Sequence, residues 1–160
     1  MTLPRLALDT NVIVYSEGLE REPTDRAKIV RSRALMEAAT LSGEDLVVPA
    51  QALAELHQVL VRRGGMSPAT ASIIASRLGG LCAIAPTSAF VLDSAFALAH
   101  DHHLQIFNAI VLAAAADAGC DLLLSEDMHD GFAWGGVTVT NPFRSTPHPQ
   151  LVRMLAGSAG

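Results

Sequence analysis

The chain is short of the residues that several specialised protein classes depend on. Aromatic side chains make up 4% of its 160 residues and charged ones 17%, while half of the chain is apolar. Two cysteines, Cys82 and Cys120, lie in apolar surroundings without CxxC spacing. That speaks against a disulfide framework or a thiolate zinc site and leaves buried, reduced thiols. No apolar run reaches the ~18 residues of a membrane span. The N-terminus also lacks a basic segment followed by an uninterrupted apolar one, so a cytoplasmic protein with no membrane partner is expected. A net charge of −5 supplies no global attraction for nucleic acid, and any such contact has to rest on local arginines and bound cations. Neither GxSxG, a Walker loop nor GxGxxG occurs. The missing DxDxT pattern around Asp9 and the scarcity of lysine argue against a phosphotransfer domain.

What is present suits one domain, long enough to bury a core without staples. Alanine supplies much of the apolar content and favours helices. Arg5 to Leu8 reads as a short buried strand that ends at Asp9-Thr10-Asn11 and leads into a helix. From Thr24 or Asp25, Ala27, Val30, Ala34, Leu35 and Ala38 recur at helical spacing until Ser42-Gly43. Leu46 to Val48 is a second strand, and Pro49 suits the first turn of a helix that stops near Gly64-Gly65. Ser67-Pro68 opens another helix, ending at Gly79-Gly80. Leu81 to Ala85 forms a third strand, and Thr87 or Ser88 caps the helix after it. His100-Asp101-His102-His103 reads as an interhelical loop before a helix over Leu104 to Ala118, closed by Gly119. Asp121 to Leu124 and Val137 to Val139 complete the strands, with a Gly135-Gly136 turn before the last. The segment after Phe143 reads as a tail, loose at its end.

Short continuous apolar strands alternating with helices indicate a three-layer α/β/α sandwich around a central parallel sheet, because parallel crossovers bury strands on both faces. Ligands of such sheets sit outside the carboxyl ends of the strands, near the point where the strand order reverses. Asp9, after the first strand, and Asp127, after the fourth, both stand there.

Metal-assisted phosphodiester hydrolysis needs carboxylates that converge from separate elements, since Mg²⁺ takes hard oxygen ligands and keeps water and substrate phosphate in its octahedron. Asp9 ends a buried strand, where a carboxylate is costly unless paired or bound; it would also serve as a helix N-cap. Glu55 lies at the edge of a core face beside Leu56 and Leu60, and a solvated helix glutamate is the plainer reading. Asn108 lies on an apolar helix and needs a partner, either as a cap or as a ligand position without charge. Asp127 follows Leu122-Leu123-Leu124-Ser125-Glu126 and is either a site acid or part of a polar loop, with Glu126 and Asp130 as neighbouring acids that could substitute for it.

At these residues the chain resembles the PIN domain family, and within it the VapC-type toxins of bacterial toxin–antitoxin pairs. The matching stretches are LALDTNVIVY (Leu6 to Tyr15), AELHQVL (Ala54 to Leu60), FNAIVLAAAADAGCDLLLSEDM (Phe107 to Met128), DGF (Asp130 to Phe132) and VTVTNPF (Val137 to Phe143). They cover about Leu3 to Phe143, and the resemblance implies a PIN-like nuclease domain over 1–143 with a tail over 144–160. It implies an endoribonuclease, usually a homodimer, that requires Mg²⁺ or Mn²⁺ and is neutralised by a cognate antitoxin protein. Asp9, Glu55, Asn108 and Asp127 fall on the four acidic catalytic and metal-binding positions, with Asn11 and Ser125 as polar supports. Asn108 departs from the pattern, which has aspartate there: this chain reads Phe107-Asn108-Ala109. Losing that carboxylate should weaken metal binding and impair cleavage, whether the asparagine is a natural attenuation or an introduced change.

Arg62 and Arg63 are the candidate RNA contacts, together with Arg26, Lys28, Arg31 and Arg33; the plainer reading is that they solubilise helices. The His100 to His103 cluster lacks cysteine partners and reads as a solvated helix terminus. His57 is expected to face away from Glu55. The alternative function is a non-catalytic PIN-like module that binds antitoxin or RNA without cutting.

Overall fold

A computed structural model describes residues 3–43 and 46–157. Its element order is β1 (Leu6–Leu8), α1 (Thr10–Ser16), α2 (Asp25–Ser42), β2 (Val47–Pro49), α3 (Ala50–Arg62), α4 (Pro68–Leu81), β3 (Ala83–Ala85), α5 (Ala89–His102), α6 (Ile106–Asp117), β4 (Leu122–Leu124), β5 (Ala133–Trp134), β6 (Val137–Thr140) and α7 (Pro149–Gly157). The strands form one sheet in the order β3-β2-β1-β4-β6-β5, flanked by helices in the expected α/β arrangement.

β1, β2 and β4 are three residues each and buried throughout, as uninterrupted apolar triplets covered on both faces must be. Leu6, Ala7 and Leu8 pair in parallel with Leu122, Leu123 and Leu124, while Ala7 pairs with Val47 on the other side. The chain therefore builds outward from β1 through β2 to β3, then returns to lay β4 on the opposite side of β1. The order reverses between β1 and β4, where the two carboxyl ends leave a crevice. The Asp9 amide bonds the Leu124 carbonyl at 3.0 Å and ties the strand ends together.

The sheet is parallel except for β5, which pairs antiparallel with β6 and was not foreseen. Gly135 and Gly136 have φ of 58° and 83°, the left-handed geometry of a two-residue hairpin turn. Other departures also have local causes. Pro49 ends β2 and stands at the cap of α3 instead of inside its first turn. α4 runs through Gly79-Gly80 to Leu81, and Gly79 lies against β3, where a Cβ would come within 3.1 Å of Ile84 and 3.5 Å of Leu53. His100 and His102 belong to the last turn of α5, and His103 closes it with φ of 55°. The buried face of α2 is Ile29, Ser32, Leu35, Ala38 and Ala39, which turns Val30 outward.

The segment after Phe143 contains a helix that the sequence reading did not assign. Leu151 and Met154 of α7 are buried, and the helix packs against α2. The terminal residues 158–160 lie outside the described residues. Cys120 is buried and Cys82 half-buried, with no disulfide among the described residues. No described helix is long and apolar enough to cross a membrane.

Candidate active site

Asp9 follows β1 at the strand-order reversal and is only 3% exposed. One carboxylate oxygen caps α1 by accepting the Thr10 amide at 2.7 Å, so the capping role is realised. The other accepts the Ser125 hydroxyl at 2.7 Å. Ser125, fully buried, also receives the amides of Asp127 at 3.2 Å and Met128 at 3.4 Å. One hydroxyl thereby joins the end of β1 to the turn that follows β4.

Burial pushes the Asp9 carboxyl up to about 6, against the bonds from Ser125 and Thr10, which favour its charged form; the charges of Asp127 and Glu55 push it further up. Asp127 is also raised, first by partial desolvation and then by Glu126 beside it. Asp9, Asp127 and Glu55 thus share an electrostatic neighbourhood although they stand after β1, after β4 and on α3.

The outer acids are held by neutral side chains. Glu55 takes the Thr10 hydroxyl at 2.6 Å and the Gln51 amide at 3.1 Å, the latter one helical turn before it. Asp127 takes the Asn11 side-chain amide at 2.7 Å. Consecutive residues of α1 therefore restrain acids from opposite walls. Thr10, Asn11, Glu55 and Asp127 line a cavity of about 590 Å³, together with Arg21, Gln58, Val59, Arg62, Arg63 and Glu126. Arg62 and Arg63, at the end of α3, form its exposed basic rim.

Neither buried Asp9 nor Asn108 is among the residues lining that cavity. Asn108 lies half-exposed in the first turn of α6, with its backbone amide capped by Gln105 at 3.0 Å. Because α6 leads into the amino end of parallel strand β4, its own amino end lies at the sheet's carboxyl edge. Asn108 is therefore on the edge that carries the acids, and α6 packs on α3, the helix of Glu55.

Of the other candidates, Arg26 pairs with Glu20 at 3.0 Å, Arg33 bonds the Ser16 carbonyl at 3.2 Å, and Lys28 bonds Glu126 at 2.8 Å. Asp130 accepts the Asn141 amide at 2.7 Å and pairs with Arg144, so it is a structural latch and not a substitute for Asp127. His57 points to Ser72 of α4 at 3.1 Å, away from the acids. Sequence reasoning missed Thr10, Gln51 and Arg21. The i,i+4 spacing of Gln51 and Glu55 was a usable signal; Arg21, in irregular chain between α1 and α2, gave none.

All donors around the crevice are hard oxygens, the set that suits Mg²⁺ or Mn²⁺, and like charges gathered at a buried carboxylate are what a cation relieves. Among the described residues no three Asp, Glu, His or Cys side chains converge as placed on one ion position. A cation would have to draw Glu55 and Asp127 from Thr10 and Asn11.

A model of the PIN domain family matches residues 6–131. Among solved structures, the chain is similar to VapC20 of Mycobacterium tuberculosis, described as a sarcin-ricin loop cleaving toxin. That match has a TM-score of 0.58 and 16% identity, over 76% of this chain and 91% of the other. It is also similar to VapBC2 of Rickettsia felis bound to a DNA fragment from its promoter, with a TM-score of 0.57 and 12% identity over 85% of this chain and 97% of the other. At such identities the likeness is one of fold. No curated protein sequence matches the chain.

Proposed function

Because the chain belongs to the PIN domain family, we propose that it is a metal-dependent endoribonuclease of the toxin–antitoxin kind, impaired by asparagine at position 108. The observation that carries this reading is Asp9: a buried carboxyl at the strand-order reversal, held by Ser125 and crowded electrostatically by Asp127 and Glu55. A fold stabilised by this group alone would gain more from a neutral residue, so its charge points to a cationic ligand.

Asp9 and Asp127, with Glu55 and the carbonyl oxygen of Asn108, would hold Mg²⁺ or Mn²⁺. Bound there, the ion supplies a more acidic water and stabilises negative charge on a leaving oxygen. Ser125 fixes the orientation of Asp9, while Thr10, Gln51 and Asn11 fix Glu55 and Asp127 until the ion arrives. Arg62 and Arg63 neutralise phosphates of an RNA strand laid across the rim. In the net reaction the water oxygen bonds to phosphorus, the bond from phosphorus to the 3′-oxygen breaks, and that oxygen takes a proton. The products are a 5′-phosphate and a 3′-hydroxyl.

The fold shared with a sarcin-ricin loop cleaving toxin and with VapBC2 supports an antitoxin protein as a partner. In this reading the working form is a homodimer in the cytoplasm. Total RNA incubated with the chain and Mg²⁺ or Mn²⁺ tests the proposal, with Asp9→Asn and excess EDTA as controls. Internal cleavage that both controls abolish supports it. Metal-independent retention of RNA without cleavage would favour the non-catalytic binding module.

A further inference from the structure

The turn after β4 carries two consecutive acids, Glu126 and Asp127, and both line the cavity. Their side chains diverge. Asp127 reaches Asn11 beside Asp9, whereas Glu126 is drawn toward α1 and α2. Both of its oxygens are taken: Tyr15 Oη donates to Oε1 at 2.9 Å and Lys28 Nζ to Oε2 at 2.8 Å. The pair is largely enclosed, with side-chain exposures of 33% for Lys28 and 15% for Glu126.

Lys28 is the chain's one lysine, and it is braced from several directions. Its ammonium lies 5.4 Å from the centre of the Tyr15 ring and 5.7 Å from that of Phe143. Those rings meet edge to face at 5.4 Å. Arg21 lies 5.3 Å over the Tyr15 ring and donates to its hydroxyl at 3.1 Å. Cation–π attraction and an aromatic pair thus hold the ammonium where it meets the carboxylate. The clamp draws α1, α2, the turn after β4 and the segment after β6 together behind the acids.

From this juxtaposition we infer that Lys28 is a positioning residue, which withholds the Glu126 carboxylate from the cation site that the proposed function requires. The inference rests on that reading of the site. A partly buried carboxylate that loses its ion-pair partner keeps the Tyr15 hydroxyl, with Arg21 beyond it, and a cation beside Asp127 would restore the lost compensation. Beside a site with asparagine at position 108, the crevice carries a further carboxylate on its wall, its charge compensated by Lys28. Removing the ammonium while keeping the stem that packs on the rings should release this carboxylate to the site.

Mn²⁺ binding to the full chain, followed by titration calorimetry, tests this with Lys28→Met, Lys28→Arg, Glu126→Gln and the double variant Lys28→Met/Glu126→Gln. Lys28→Met is expected to bind Mn²⁺ at least about fivefold tighter, since affinity follows the charge of the donor set. Lys28→Arg should match the parent chain, Glu126→Gln should bind no tighter, and the double variant should lose the gain. A purely structural role would weaken binding alike in Lys28→Met and Glu126→Gln, and that result overturns the inference. So does a gain that persists in the double variant. If Lys28→Met fails to fold, Lys28→Gln carries the same comparison. Absence of Mn²⁺ binding in both the parent chain and Asn108→Asp would overturn the metal-site reading and this inference with it; binding in either without tightening in Lys28→Met overturns the inference alone.

Discussion

The hydroxyl of Ser125 donates to Asp9 at 2.7 Å across 116 residues of chain and links the two strand ends at which the sheet order reverses. Because the same oxygen accepts the amides of Asp127 and Met128, the bond orients a buried acid and shapes the turn that bears the next one.

Ser125→Ala leaves a buried carboxylate oxygen and two amides short of a partner. A hydrogen bond to a charged group contributes about 1.5–3 kcal/mol, and that is the expected loss in urea unfolding. The bond favours ionised Asp9, so its removal should lift the Asp9 carboxyl above 6 and make the loss greater at pH 8 than at pH 5. A loss equal at both pH values would contradict the pairing.

Asp9 itself sets a pH dependence. Its folded value, about 6, exceeds the ordinary 3.8, so the neutral form is the one the fold favours. Its contribution is fully present below pH 3.8 and is lost as pH rises through about 6. Without divalent metal, Asp9→Asn should therefore gain stability relative to the parent chain as pH rises, by about 2 kcal/mol between pH 4 and pH 8. Parallel stability curves would show that Asp9 is not held above its ordinary range.

The Asn11 bond to Asp127 is exposed, so Asn11→Ala should change unfolding stability by no more than about 0.5 kcal/mol. Groups that orient metal ligands matter more for binding, and Mn²⁺ affinity should fall about tenfold. A loss of stability with unchanged affinity would reverse the role assigned to Asn11.

The closing helix should matter as core. Leu151→Ala removes a side chain that is 1% exposed and should cost about 2 kcal/mol or more, while Val152→Ala, on the exposed face, should be nearly neutral. Equal effects of the two would mean that α7 does not dock on α2.

Much of the arrangement was legible because its strands are so short and so apolar. Leu6 to Leu8, Val47-Val48 and Leu122 to Leu124 admit little besides buried parallel strands, and the acids that end two of them stand out. Turn glycines misled where tertiary packing used them differently: Gly79 continues α4 against Ile84. The Gly135-Gly136 pair between Trp134 and Val137 was a hairpin signal, but β5 is only two residues long and shows no alternation. Pro149 with Leu151, Met154 and Leu155 at helical spacing announced α7, although the surrounding prolines suggested a tail.

At the site, sequence supplied the acids but not their holders. The pairings of Thr10 with Glu55, Asn11 with Asp127 and Lys28 with Glu126 span 45 to 116 residues, and no local pattern reveals contacts made only when α1, α2, α3 and β4 meet. Asn108 stands out as a polar residue on an apolar helix, but only the family resemblance makes it the place of a missing acid.

The most direct measurement is cleavage of total RNA in Mg²⁺ or Mn²⁺ by the chain and by its Asn108→Asp variant, side by side with EDTA controls. A site short of one carboxylate should make the aspartate variant cut at least about tenfold faster in metal, with neither protein active in EDTA. No cleavage by the aspartate variant under any metal, or equal cleavage by both, would contradict the assignment of position 108 to the metal site.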